Sequence, residues 1–323
     1  MTTFGSALRA LINAQVKQNR GGNRMSIKRP QKAPSDPITD LDLQYLPFPV
    51  VGSPKLDGFR CIVDHGAKTS SMKRFPNQFL NEVMNDSLYH GLDGELLIGP
   101  PNDPDAFHNT SGPLRRIDGN PDFRFYVFDN WIDGLHPYAK RWLEAPRPEG
   151  GRIITLEQRL LYSPEDVISY EEEMLSAGYE GAMIRSLSGT YKEGRCSFRE
   201  MNIFKRKPFV DCEATIVGFI EGLQNLNEPV ENETGHMRRS SHAANKVPKG
   251  TLGSFRLKSS LWQTEFTAAP GEGYSQDDRQ EIWNHRVEYL GQVATVKFQK
   301  YGSREAPRIP SVIKIGPASE STE

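Results

Sequence analysis

Lys55 lies in the run Ser53-Pro54-Lys55-Leu56-Asp57-Gly58-Phe59-Arg60, between the apolar stretches Phe48-Pro49-Val50-Val51 and Cys61-Ile62-Val63. The pattern predicts a strand, a tight turn at Asp57-Gly58 and a second strand. Such a turn would hold a lysine within reach of a ligand, with Arg60 close behind. A lysine is a nucleophile only when deprotonated, and a free one, with a pKa near ~10.4, is mostly protonated at neutral pH. Desolvation and cationic neighbours lower that value. Lys205 and Lys207, on either side of Arg206, could be such neighbours. In an extended strand, positions two apart share a face, so both ammoniums can point at one phosphate. Glu95 follows Asp93-Gly94, and Glu180 precedes Gly181-Ala182-Met183-Ile184. Two carboxylates brought together would offer hard oxygen ligands to Mg²⁺. Taken singly, these features read as a solvated hairpin lysine, a surface charge run and two solvated carboxylates.

Their order changes that reading. After the Lys55 run come Leu92-Asp93-Gly94-Glu95-Leu96, Phe125-Tyr126-Val127-Phe128-Asp129, Glu180-Gly181-Ala182-Met183-Ile184-Arg185 and Lys205-Arg206-Lys207. In this order and at these spacings they resemble motifs I, III, IIIa, IV and V of the covalent nucleotidyltransferases. Within that superfamily the chain resembles an ATP-dependent DNA ligase of the compact, two-domain bacteriophage type, over nearly its whole length. The resemblance implies three steps. Lysine attacks the α-phosphorus of ATP and pyrophosphate leaves; AMP passes to the 5′-phosphate of a nick; the 3′-hydroxyl displaces AMP. In-line transfers of this kind depend on positioning and charge neutralisation.

On that resemblance Lys55 is the nucleophile that carries AMP, and Lys205 and Lys207 assist it and bind the α-phosphate. Glu180 is a metal ligand, for Mg²⁺ or Mn²⁺, and Glu95 a metal or ribose ligand. Asp57 orients the site, and Arg60 grips AMP or the nick phosphate through its guanidinium fork. Tyr126 is chosen to stack on adenine, with Phe125 left open. Related phage enzymes carry an arginine where Ser70 stands here, so on the resemblance either Lys73 or Arg74 takes over that DNA contact or the contact is lost. The R-x-D-K motif that ends larger ligases is missing from Arg308-Ile309-Pro310-Ser311-Val312-Ile313-Lys314.

A chain of 323 residues with 25% charged residues and a formal net charge of −1 suggests two domains and a local, rather than global, nucleic-acid surface. That surface is expected at Arg238, Arg239, His242, Lys246 and Lys249, in a stretch from His236 to Lys249 without an acidic residue. Phosphate contacts there would position a duplex without reading its sequence. Cys61, Cys196 and Cys212 form neither a zinc pattern nor a disulfide framework. No apolar run approaches the ~20 residues of a membrane span, and no signal-peptide core is evident.

The expected fold class is α+β. Residues 1–39 are expected to form a peripheral tail, with a short helix through Leu8, Leu11, Ile12 and Val16. Residues 40–209 form a nucleotidyltransferase domain of antiparallel sheets and flanking helices, including helices at 79–89 and 166–177. Residues 210–316 form a small β-barrel, of OB type on the resemblance, with five strands, a helix at 277–290 and a polar insert at 224–250; residues 317–323 form a tail. The functional expectation is a monomeric ligase that uses ATP and seals nicked double-stranded DNA in replication, repair or recombination. Its setting is a cytoplasm, the host's if the source is viral, with replication or repair proteins as candidate partners. An RNA ligase or a capping-type guanylyltransferase, sharing the lysine chemistry, is the alternative.

Overall fold

The structure, a computed structural model, describes residues 27–132, 134–144, 151–231, 237–239, 245–299, 303 and 305–316. The chain divides into two compact units between Lys207 and Pro208. Among the described residues, no helix is long and apolar enough to cross a membrane.

The first unit contains β1 (Val50–Pro54), β2 (Phe59–Val63), β3 (Ala67–Lys68), β4 (Leu92–Ile98), β5 (Phe123–Asn130), β6 (Ile153–Thr155), β7 (Arg159–Leu161), β8 (Ala182–Ser186) and β9 (Ile203–Arg206). They form a four-stranded sheet, β7-β1-β8-β9, and a five-stranded sheet, β3-β2-β4-β5-β6. The expected hairpin around Lys55 is therefore absent: β1 and β2 belong to different sheets. Their apolar residues enter different cores. Val50 packs with Leu161, Ala182, Ile184 and Phe204, while Cys61 and Val63 pack with Leu80, Leu92 and Phe125. Lys55 thus sits in the crossover between two sheets. Gly58 there serves close approach, because a Cβ would collide with the carbonyl of Leu96. The expectation of wholly antiparallel sheets also needs correcting at one edge. β6 returns parallel to β5, after the helix Tyr138–Glu144 has carried the chain across.

The helix Pro164–Ser176 covers the four-stranded sheet through Val167, Tyr170 and Met174. Ser163 caps it by accepting from the Asp166 amide at 3.2 Å, Pro164 opens it, and Gly178 beyond its end has φ +89°. The helix expected at 79–89 is instead Gln78–Val83 followed by a single 3₁₀ turn, Ser87–Tyr89. Asp86 starts that turn by accepting from the Leu88 amide at 2.9 Å. The helix Ala106–Arg115 was not foreseen. Residues 27–39, assigned to the tail, are integrated: Ile27, Gln31 and Ile38 are buried, and Lys32 pairs with Arg195 in an isolated bridge. The short helix expected near residue 12 lies outside the described residues.

The second unit is a closed barrel of β10 (Val210–Asn225), β13 (Lys246–Lys258), β14 (Phe266–Pro270), β16 (Arg308–Ile315) and β15 (Val293–Gln299), joined in that order, with β14 parallel to β16. Its core holds Ile216, Phe255, Leu257, Val296 and Val312. The first two strands run further than expected. Their ladder continues to Asn225 opposite Lys246, and β11 (Pro229–Glu231) pairs with β12 (Met237–Arg239) beyond it. The described part of the insert is therefore largely a ribbon. The expected helix is two pieces, Gln276–Asn284 and Arg286–Tyr289, broken at His285.

Candidate active site

Lys55 continues the β1–β8 ladder by one bond: its amide donates to the carbonyl of Gly181 at 2.9 Å. Gly181 has φ +146°, and a Cβ there would collide with the carbonyl of Arg206. Only glycine fits this position. The preceding residue, Glu180, is buried and joins two lysines: Lys55 Nζ donates to Oε2, and Lys207 Nζ lies 2.7 Å from Oε1. Burial alone would raise the Glu180 carboxyl, but the ammoniums of Lys55 and Lys207 outweigh it and hold the pKa at about 2. The residue expected to bind metal is thus the anion that ties Lys55 to Lys207.

Strand alternation sorts the three cations of β9 and its end. Lys205 faces the crossover and donates to the carbonyl of Ser35. Burial lowers its pKa, helped by the charges of Lys207 and Lys55. Arg206 points away, donating to Glu171 at 2.8 Å and to Asp40 at 2.7 Å.

On the five-stranded sheet, Arg60 lies opposite Glu95, and Glu95 opposite Tyr126. Arg60 donates to Asp93 through Nε at 2.5 Å and Nη2 at 2.7 Å, and also to the carbonyl of Gln31 at 3.1 Å. Its fork, expected on a phosphate, is here anchored to a buried carboxylate that also accepts from Tyr191 Oη at 2.7 Å. Glu95 is pushed up to about 7 by burial, against the opposing charges of Arg60 and Lys55. Asp57 is buried nearby.

Lys55, Arg60 and Glu95 line a cavity of about 210 Å³, together with Lys32, Phe128, Met183, Arg185 and Lys205. Phe125 turns into the core and is fully buried. Phe128, rather than Tyr126, lines this cavity, and Arg60 and Arg185 lie against its ring at 4.6 and 5.1 Å from the centroid. Tyr126 instead borders a neighbouring cavity of about 440 Å³, with Tyr170 and Tyr179. Arg185 in turn bonds buried Asp129 at 3.0 Å, as does Arg141.

Sequence reasoning missed Lys32, Asp93, Phe128, Met183 and Arg185 as parts of this site. Lys32, whose pKa is lowered by burial and by Arg60 and Arg195, belongs to the basic stretch before Pro34, so charge was its signal. Phe128 lies inside the aromatic run, but alternation could not say which face meets the lysine.

Apart from Arg60, the expected DNA contacts among the described residues are not in this cavity's lining. Lys73 and Arg74 are exposed beyond β3, outside the cavity lining, and Arg74 donates to Asn81 at 3.0 Å. Arg238 and Arg239 sit on β12, opposite Val230 and Pro229. Lys246 opens β13, and exposed Lys249 donates to Gln276 at 3.1 Å. His242 lies outside the described residues. All three cysteines are buried and free.

A cavity with a flat aromatic wall, clustered cations and the Glu95 carboxylate suits a nucleotide: base on the wall, phosphates on the cations. The Chlorella virus DNA ligase-adenylate structure is 26% identical with a TM-score of 0.50, covering 91% of this chain and 100% of that one. The chain has the fold of a compact DNA ligase. A Lig E DNA ligase shares this fold at 20% identity and a TM-score of 0.61, covering 90% of this chain and 99% of that one. Over 145 residues the ligase-fold chain is 27% identical to a DNA ligase of African swine fever virus (isolate Tick/South Africa/Pretoriuskop Pr4/1996), covering 41% of this chain. That match takes in 32% of the viral protein, so the chain spans about a third of the length of the curated relatives it matches. No family model matches the chain.

Proposed function

We propose that this chain is an ATP-dependent DNA ligase that seals nicks in duplex DNA through a lysyl-AMP intermediate on Lys55. One observation carries the reading: the crossover lysine is tied to Glu180 and, through it, to Lys207, at the wall of a cavity built for a nucleotide. Lys55 Nζ, once deprotonated, attacks the α-phosphorus; the P–N bond forms as pyrophosphate leaves. Lys205 and Lys207 hold the α-phosphate in line. Phe128 takes the adenine on its ring face, and Arg60, fixed by Asp93, keeps the cation cluster in register. AMP then passes to a 5′-phosphate, and the 3′-hydroxyl of the nick displaces it.

Glu95 would hold Mg²⁺ or Mn²⁺, joined by Glu180 once one of its oxygens leaves Lys55 or Lys207. Glu95 fits, because a partly buried carboxyl raised to about 7 is relieved by an adjacent divalent cation. Such an ion supplies neutralisation of phosphate charge in the transfer. The barrel reads as an OB-fold, supported by its strand order, the parallel β14–β16 pair and the helix between β14 and β15. Its ribbon, carrying Arg238, Arg239, Lys246 and Lys249, is the duplex-binding candidate.

The test is incubation with ATP labelled at the α-phosphate, then denaturing electrophoresis, for wild type and Lys55→Ala. Label on wild type alone, discharged by nicked DNA, is expected. Wild-type protein, free of bound AMP, that takes up no label would overturn the proposal.

A further inference from the structure

Away from the Lys55 cavity, Asp64, His65 and His90 converge at the other end of the β2–β4 ladder. One ligand atom from each lies within 4.8 Å of the others. Asp64 Oδ1 is 3.9 Å from His65 Nε2 and 3.9 Å from His90 Nδ1. Lys68 Nζ occupies the other carboxylate oxygen, Oδ2, which leaves Oδ1 as the oxygen turned toward the histidines. The two imidazoles stack at 4.4 Å between centroids, and His90 also meets Trp131 edge to face at 5.2 Å.

We propose that Asp64, His65 and His90 form a binding site for a divalent transition-metal cation such as Zn²⁺. Two imidazole nitrogens and one carboxylate oxygen suit zinc, nickel or copper and not magnesium, which takes oxygen donors. Around zinc the bonds are ~2.0–2.2 Å, so tetrahedral donors sit about 3.4 Å apart. The separations here close to that spacing by modest side-chain rotation. His65 is free to make it, with 83% of its side chain exposed. A fourth position is left for water.

The backbone supports a role for His65 beyond filling a turn. It has φ +50°, followed by Gly66 at +113°, a pairing for which asparagine or glycine is the inexpensive first residue. Histidine stands there instead, stacked on a second histidine. The amide of Gly91, next to His90, donates to the carbonyl of Val63 at 2.9 Å. A bound cation would therefore staple the end of β2 to the approach to β4, the strands that carry Arg60 and Glu95. The proposal goes beyond nucleotidyl transfer and stands whether or not that reading holds.

The test is calorimetric titration of the full, tag-free, chelator-treated chain with ZnCl₂, paired with melting curves. The expected result is one equivalent bound and a Zn²⁺-dependent rise in Tm. His65→Gly, which relaxes the positive φ and keeps the fold, should weaken binding about tenfold or more and abolish the rise. His90→Gln should do the same. His236→Ala with His242→Ala, in the insert, should leave both unchanged. No binding by wild type, undiminished affinity in His65→Gly, or loss confined to the insert variant would overturn the site.

Discussion

The carbonyl of Gly181 accepts the backbone N–H of Lys55 at 2.9 Å, so the residue after Glu180 fixes the backbone of the residue whose side chain Glu180 binds. Two stretches far apart in sequence are thereby locked as one device. The lock needs glycine, with φ +146° and no room for a Cβ beside Arg206. Gly181→Ala is expected to destabilise the unit by roughly 1–3 kcal/mol. It should also abolish AMP uptake at temperatures where it remains folded. A variant that melts as wild type and labels normally would show that the lock is dispensable.

The two site carboxylates should respond to pH in opposite senses. Glu95 has a folded pKa of about 7, above its reference value of 4.5. The folded state then binds more protons than the unfolded one between those values, so the contribution of Glu95 to stability falls as pH rises from 4.5 to 7. Glu180, held at about 2, contributes stability above 4.5 that is lost as pH drops toward 2. In thermal melts, Glu95→Gln should exceed wild type in Tm at pH 8, with the gap closing by pH 4.5. An unchanging gap across this range would contradict the raised Glu95 carboxyl.

What sequence made legible was chemistry of fixed type in fixed order. The lysine, both glutamates, and Lys205 with Lys207 gather around one crossover because each is demanded by charge or by a tight backbone. The five barrel strands were legible from alternation, since each buries one face. The supposed Lys55 hairpin was not, because two apolar runs flanking a polar turn look alike whether the strands pair with each other or enter separate sheets. Periodicity likewise could not choose among Phe125, Tyr126 and Phe128. Register against β4, a long-range property, decides which face meets the lysine; Tyr126 and Phe128 share that face, and position along the strand separates them.

That register makes a specific prediction for the base. Phe128→Leu removes the flat wall but keeps apolar volume, and stacking of this kind is worth about 1 kcal/mol. The KM for ATP in lysine labelling should rise roughly fivefold to tenfold. Tyr126→Leu should change it less than about twofold. The reverse ranking would return the adenine to Tyr126.

Behind Phe128, Asp129 accepts from both Arg141 and Arg185 and is fully buried, as is most of Arg141. Removing the shared anion strands two guanidiniums in a low-dielectric interior, a loss of about 3–5 kcal/mol for a broken buried pair. Asp129→Ala should therefore fail to fold or melt far below wild type. Asp129→Asn, which keeps the acceptor but not the charge, should fall between them. Equal melting of the three proteins by circular dichroism would refute the network as a stabilising element.

The ribbon of the barrel offers the test of a DNA surface. Contacts to phosphate release counterions, so each lost cation should lower the slope of log K against log salt by about one. Arg238→Ala with Arg239→Ala should weaken nick binding and reduce the slope by about two. Adenylylation of Lys55 should persist, because the cavity proposed for ATP is lined by residues of the first unit alone. An unchanged salt slope would move the duplex to another face. Loss of labelling together with binding would instead mean that the ribbon takes part in the first step.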